Sequence, residues 1–133
     1  MIKGLAHVCF HVNDLEAAER FYCEKLGFRR AFDFVNDKGT RIGVDLHISG
    51  RNFLELFRSE VKPPYPDQGY RHLCLEVDDM DKTVAAFRGM GIEVTEPKRG
   101  SEGSWQAWFH DPEGNLMELH YYTPQSKELP WMK

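Results

Sequence analysis

The sequence predicts an α+β fold built from two tandem βαβββ modules, because the chain repeats itself once and each repeat changes its hydrophobic period in the same way. The nine residues from His7 match the nine from His72 at four positions, and the eleven from His47 match the eleven from His110 at four positions. In each half, apolar residues first recur at helical spacing and then in strand-like runs. Each half therefore consists of a strand, a helix and three strands.

The first module opens with an apolar strand at His7 and enters a helix at Asp14. Asp14 is the predicted N-cap, and Gly27 ends the helix because glycine adopts the left-handed conformation that follows a last turn. Apolar residues recur between them at helical spacing: Leu15, Ala18, Tyr22 and Leu26. Strands are then predicted at 28–35, 41–48 and 52–57.

The second module repeats this order. Asp79 caps the helix and Gly91 ends it. Its apolar positions are Met80, Val84, Phe87 and Met90. The three predicted strands that follow are 92–97, 104–110 and 115–122.

The organisation predicted for the whole chain has four parts. Residues 1–62 form the first module and 71–123 the second. Residues 63–70 are a connector, in which three prolines and a glycine prevent regular structure. Residues 124–133 form a polar tail, expected to be either an arm or a frayed end.

Composition narrows the possible functions. Seventeen Lys and Arg against 21 Asp and Glu give a net charge of −4, which does not favour nucleic acid as a partner. The chain has no apolar run of the roughly 18 to 20 residues that a membrane span needs. Three cysteines, an odd number, are typical of reduced thiols. We therefore expect a cytoplasmic protein whose partners are neither nucleic acid nor membrane.

The repeat also pairs residues that are metal ligands in type, His7 with His72 and Glu55 with Glu118. Each glutamate stands between strongly apolar neighbours, so it faces either solvent or a positive partner. The plain alternative is a solvent-facing glutamate on a half-buried strand and a hydrogen-bonded interior histidine. As ligands, two imidazoles and two carboxylates leave open positions on a divalent ion, which can be Ni²⁺, Co²⁺, Zn²⁺, Mn²⁺ or Fe²⁺.

From residue 2 to about 123, the sequence resembles the vicinal oxygen chelate superfamily, which includes glyoxalase I and extradiol dioxygenases. The motifs that carry the resemblance are His7, Asn13-Asp14-Leu15, Phe21-Tyr22, Leu26-Gly27-Phe28, Glu55, His72, Val77-Asp78-Asp79, Gly91-Ile92, Asp111-Pro112-Glu113-Gly114-Asn115 and Glu118. The resemblance implies that the two βαβββ modules form a curved mixed sheet around a metal site.

The four-ligand set His7, Glu55, His72 and Glu118 is similar to that of glyoxalase I. It implies one divalent ion per site, with Ni²⁺ or Co²⁺ favoured, and a homodimer. In compact glyoxalases each chain gives one His-Glu pair to a shared site, but the Pro-rich connector also permits both pairs to come from one chain. Glu118 would be the base and Glu55 its partner, in a proton shift through an enediolate.

Two positions depart from the compact glyoxalases. His11 and Ser59 stand where those enzymes have Arg and Asn, so the resemblance does not predict a glutathione adduct. The alternatives are a dioxygenase or epimerase that uses the same ligands, or a non-catalytic binding or resistance protein.

Four further residues are candidates for contact with the substrate. His11 shares the strand face of His7, and His120 shares that of Glu118. Arg71, next to His72, would suit an anionic group. Trp108 would line the cavity. The alternative for these side chains is that they support the metal ligands or pack in the fold without touching the substrate.

Overall fold

Both predicted βαβββ modules are present, each as a four-stranded mixed sheet with one main helix. The computed structural model describes residues 1, 5–59, 70 and 72–132. The chain divides into two units, residues 1–68 and 69–133, and each is considered by itself. The α+β fold predicted from the repeat is confirmed.

The first unit has the sheet order β1-β4-β3-β2. Its elements are β1 (His7–Val12), α1 (Leu15–Arg20), β2 (Arg29–Val35), β3 (Arg41–Ser49) and β4 (Asn52–Arg58). A π-helical turn, Phe21–Lys25, continues α1. β1 runs parallel to β4, whereas the other two pairings are antiparallel. β1 therefore lies at one edge, beside the strand that closes the module.

The ends of the first helix are those that the sequence predicts. The Asp14 carboxylate accepts a hydrogen bond from the Ala17 backbone N–H at 2.9 Å, which satisfies one free donor of the first turn. Gly27 follows the helix with φ of +76°. Leu15 and Tyr22 are fully buried on the face that packs against the sheet.

Alternation along β1 and β4 gives the sheet two unlike faces. Phe10 and Leu54 belong to the buried, helix-covered face, whereas His7 and Cys9 are exposed on the other. Glu55 shares the face of His7 and is half-buried. The prediction that the ligand-type residues lie opposite the helix is confirmed for this unit.

The second unit repeats the arrangement with the order β5-β8-β7-β6. Its elements are β5 (Leu73–Glu76), α2 (Met80–Gly89), β6 (Lys98–Arg99), β7 (Trp105–His110) and β8 (Leu116–Tyr121). β5 runs parallel to β8, as β1 does to β4. Met117 and Leu119 of β8 are buried in the core.

The strand predicted over residues 92–97 is wrong. This segment is irregular, and only Lys98–Arg99 pairs with β7. Ile92 and Val94 are buried, so the alternation of apolar residues does mark the buried side of the segment. Its backbone pairing with β7, however, consists of one hydrogen bond between main-chain groups, from the Thr95 N–H to the Trp108 carbonyl at 3.0 Å. Pro97 interrupts the ladder because proline has no N–H to donate.

The tail packs on the second unit through residues 123–127. The Ser126 hydroxyl is 2.7 Å from the Ser104 hydroxyl and accepts the Thr123 N–H at 2.8 Å. The Lys127 N–H donates to the Glu102 carbonyl at 2.9 Å. A short 3-10 helix, Leu129–Trp131, follows. This part of the tail is therefore held in place by the unit's own hydrogen bonds.

None of the helices in the described segments is long and apolar enough to cross a membrane. The predicted connector, 63–70, lies outside the described residues except for Tyr70.

Candidate metal centre

The second unit places His72 and Glu118 side by side. His72 precedes β5, and Glu118 lies on the neighbouring strand β8, with 3.1 Å between His72 Nε2 and Glu118 Oε2. Glu118 is only 4% exposed, whereas about a third of the His72 side chain is accessible. A carboxylate buried to this extent requires partners.

His120 supplies the other partner of this carboxylate. Its Nδ1 lies 2.9 Å from Glu118 Oε1, so the two oxygens of Glu118 face two different imidazoles. His120 is itself 7% exposed. The sequence grouped His120 with Glu118 because the two share a strand face, and the structure shows direct contact.

The first unit contains the corresponding pair with a looser geometry. His7 Nε2 lies 3.5 Å from Glu55 Oε2, and half of the His7 side chain is exposed. Cys9 lies directly across from Glu55 in the β1/β4 register. Partial desolvation, and then the neighbouring Glu55 carboxylate, raises the pKa of the Cys9 thiol, so this thiol stays protonated at neutral pH.

Asp45 is a carboxylate beside this pair that the sequence analysis missed. It faces Glu55 across the β3/β4 register and is 7% exposed. Its Oδ1 has no hydrogen-bond partner among the described residues. Burial raises the pKa of Asp45, and Glu55 raises it further. Strand parity could have found it, because Gly43, Asp45 and His47 share a face of β3.

The other three residues predicted to contact the substrate are His11, Trp108 and Arg71. His11 is exposed on β1, on the same strand face as His7. The Trp108 ring meets the His72 ring edge-on, with 4.9 Å between centroids. Arg71 lies outside the described residues.

A cavity of about 500 Å³ opens on this face of the second unit. It is lined by His72, Cys74, Glu102, Gln106, Trp108, Glu118, His120, Tyr122 and Glu128. Glu102 and Glu128 are wall residues that the sequence analysis did not single out, because one lies in a turn and the other in the tail. Burial, together with Glu118, raises the pKa of Cys74 to about 12, which leaves this thiol a neutral member of the wall.

Each His-Glu pair fits two ligands of one divalent ion. Ligand atoms about 2.1 Å from an ion, at octahedral to tetrahedral angles, are about 3.0 to 3.4 Å apart. The separation of His72 and Glu118, 3.1 Å, lies within this range, and that of His7 and Glu55, 3.5 Å, lies just above it. Imidazole nitrogen with carboxylate oxygen is a donor set that first-row divalent ions accept.

Residues 4–119 match the Glyoxalase/Bleomycin resistance protein/Dioxygenase superfamily. The chain belongs to this superfamily. It is the group to which the sequence resemblance pointed, and its members typically bind a divalent metal.

Two curated relatives cover almost the whole of this glyoxalase-superfamily chain. The uncharacterized protein YaeR of Escherichia coli is 27% identical over 90% of this chain and 96% of its own length. The fosfomycin resistance protein FosX of Mesorhizobium japonicum is 25% identical over 92% of this chain and 88% of its own.

Solved structures of superfamily members agree with the fold. A glyoxalase family protein from Enterococcus faecalis is 32% identical with a TM-score of 0.76, over 89% of this chain and 97% of that one. A lactoylglutathione lyase from Agrobacterium tumefaciens is 26% identical with a TM-score of 0.70, over 90% and 94%. The chain is thus similar both to a lyase and to a resistance protein.

Proposed function

We propose that this chain is a divalent-metal-dependent isomerase or lyase of the glyoxalase I type, with a small substrate that carries two adjacent oxygens. The observation that carries the proposal is the His-Glu pair found in each unit, at 3.5 Å and 3.1 Å. The proposed ligands are His7, Glu55, His72 and Glu118. Ni²⁺ or Co²⁺ is the proposed ion, and the proposal extends to a cytoplasmic homodimer.

A bound divalent ion supplies Lewis acidity, which stabilises negative charge on substrate oxygens. Glu118 is the proposed base that takes a carbon-bound proton and returns it to the neighbouring carbon. Because Glu118 is 4% exposed and held by His120 at 2.9 Å, its carboxylate has a fixed direction and little competing water. Glu55, half-buried beside His7, is its proposed partner.

The cavity wall supports a small substrate. Trp108 shields His72 from the side, while His120 and Tyr122 offer polar groups from the neighbouring strand. His11 and Arg71 remain proposed substrate contacts. Similarity to the lactoylglutathione lyase favours proton transfer, whereas similarity to the fosfomycin resistance protein favours the alternative, a resistance or binding protein built on the same ligands.

The first test is metal binding measured by calorimetric titration with Ni²⁺, Co²⁺ and Zn²⁺. We expect binding of wild type to weaken at least tenfold in His72→Ala and in Glu118→Gln, because each change removes one proposed ligand. His110→Ala, a change at an exposed strand end, is the matched control and should bind as wild type does. Unchanged binding in His72→Ala would refute the ligand assignment.

Activity is tested next with methylglyoxal, with and without glutathione, on the metal-loaded protein. Solvent deuterium incorporated into the product by wild type, and its loss in Glu118→Gln with metal still bound, would support proton transfer. A metal-loaded protein that binds candidate ligands but exchanges no proton with them would favour the binding or resistance alternative.

Sharing of ligands between chains is tested by mixing two inactive variants. If each site takes one pair from each chain, a mixed dimer of His7→Ala and His72→Ala contains one intact site and recovers metal binding. If both pairs come from the same chain, the mixture binds no better than the separate variants. Recovery would support the dimeric site, and its absence from a verified mixed dimer would refute it.

A further inference from the structure

A second group of ligand-type side chains occupies the wall of the cavity, apart from the four proposed ligands. Glu102, His120 and Glu128 each offer one atom, and the three atoms all lie within 4.8 Å of one another. Glu102 comes from the turn before β7, His120 from β8 and Glu128 from the tail. Three separate segments therefore converge on one point.

The orientation of His120 leaves one ring nitrogen for this group. Its Nδ1 is 2.9 Å from Glu118 Oε1, so this nitrogen already has a partner. Nε2 is buried and has no hydrogen-bond partner among the described residues, in a side chain that is 92% buried. A buried polar atom of this kind requires a partner, and the second nitrogen of a histidine is a common metal ligand.

Neither glutamate is hydrogen-bonded to that nitrogen. Glu102 Oε1 already accepts from the Ser104 N–H and from Gln106 Nε2, each at 3.2 Å. Glu128 Oε2 is buried and lacks a hydrogen-bond partner in the described part of the chain. The cluster therefore contains two buried polar atoms without a hydrogen-bond partner among the described residues.

Comparison of the two modules shows that the fold does not require this cluster. The repeat that pairs Glu118 with Glu55 pairs His120 with Phe57, and β4 forms the same parallel and antiparallel pairings with phenylalanine there. Glu128 belongs to the tail, which follows the second module alone. The cluster is therefore an addition to the second unit, and its two buried polar atoms without partners among the described residues have a free-energy cost that a ligand would offset.

We propose that Glu102, His120 and Glu128 form a second divalent-cation site on the cavity wall. One imidazole nitrogen and two carboxylate oxygens suit Zn²⁺, Mn²⁺ or Co²⁺ and leave positions open for water or a small ligand. Glu118 supports the site from behind, because a metal-ligating histidine typically donates its other N–H to a carboxylate. The same glutamate thereby links this site to the proposed catalytic ligands, and the tail becomes a ligand-bearing segment.

The test uses Zn²⁺ as the probe and the full chain throughout. We expect wild type to bind two equivalents per chain, and Glu128→Gln to bind one fewer than the matched control Glu93→Gln, whose glutamate is exposed. In a His7→Ala/His72→Ala background, which removes the other proposed site, one equivalent should remain, and adding Glu128→Gln should abolish it. Circular dichroism checks that each variant is folded.

Equal Zn²⁺ stoichiometry in Glu128→Gln and Glu93→Gln would overturn the proposal. So would anomalous scattering at the zinc edge that shows no ion within ligand distance of His120 in zinc-soaked crystals, since His120 would then be ion-paired with the glutamates or hydrated. A single Zn²⁺ equivalent that persists in the His7→Ala/His72→Ala background and is lost in Glu128→Gln would instead contradict the proposed catalytic site and leave this one standing. The two proposals therefore fail separately.

Discussion

Tyr70 shows how burial of one side chain sets a pH limit on stability. Its hydroxyl donates at 2.9 Å to the carbonyl of Leu116, the first residue of β8. Burial raises the pKa of Tyr70 to about 12, against about 10 for an unperturbed tyrosine. The folded state therefore favours the protonated phenol, and the stability that this contributes is complete below pH 10 and is lost as the pH rises towards 12.

We predict that wild type loses more stability than Tyr70→Phe between pH 9 and pH 11.5. Phenylalanine keeps the ring but has no proton to lose, so the alkaline loss that belongs to Tyr70 disappears. Urea unfolding at the two pH values measures the difference, and other tyrosines cancel in the comparison. Parallel losses in both proteins would show that Tyr70 does not titrate in this range.

Some side chains of the candidate site could be predicted from the sequence and others could not. Glu118 was visible because a carboxylate flanked by leucine and methionine on a strand is unusual. Asp45 lies in a similar setting, but its counterpart in the second module is Trp108, so the repeat did not mark it and only strand parity could have. Glu128 was invisible, because its place in the wall depends on hydrogen bonds that the tail makes with residues about 25 positions earlier.

At the scale of elements, the same cap begins both helices. Asp79 Oδ1 accepts the Lys82 N–H at 3.0 Å, as Asp14 accepts the Ala17 N–H at 2.9 Å. Asp79 also lies 3.6 Å from the Lys82 ammonium, but that pair is exposed and contributes little. The cap, rather than the ion pair, is therefore the stabilising contact at the start of α2.

We predict that Asp79→Ala lowers the free energy of unfolding by about 1 kcal/mol, because one donor of the first turn loses its partner. Asp79→Asn keeps the acceptor and removes the charge, so it should cost only a few tenths of a kcal/mol. Chemical denaturation of both variants measures this. Equal losses would assign the effect to charge and contradict the capping argument.

Element boundaries were predictable where local chemistry sets them and not where pairing does. Asp14 and Asp79 fixed the helix starts because capping is a contact between neighbours in sequence. Apolar and polar residues alternate in the 92–97 segment as they do in a strand, but a strand also needs hydrogen bonds to a neighbouring strand. Pro97 has no backbone N–H to donate at the point where this pairing would begin. Hydrophobic periodicity predicts which side chains are buried, but it does not predict which backbone groups pair with a neighbouring strand.

At the scale of the whole chain, residues after β8 complete the second unit rather than trail from it. Ser126 and Ser104 are buried hydroxyls 2.7 Å apart, and Ser126 also accepts the Thr123 N–H. A Cβ on Gly103 would collide with the Gln125 backbone, which shows how closely the tail approaches this turn. The tail is thus part of the unit's packing, and it brings Glu128 to the cavity.

We predict that Ser126→Ala lowers the free energy of unfolding by about 1 to 3 kcal/mol, because it leaves the Thr123 N–H and the Ser104 hydroxyl buried without this partner. Ser101→Ala, in the exposed turn, should change stability by less than about 0.5 kcal/mol. Thermal and urea unfolding compare the two. If Ser126→Ala proves as mild as Ser101→Ala, the tail does not contribute to the stability of this unit.

The parallel pairing of β1 with β4 also dictates an order of events during synthesis. β2, β3 and β4 are joined by short connections and can pair as soon as they leave the ribosome, whereas β1 is made first and pairs with β4, 46 residues later. An unpaired strand edge is open to wrong partners in the meantime. The exposed histidines of β1 make one face of this unpaired strand polar, which disfavours hydrophobic association on that face before β4 is made.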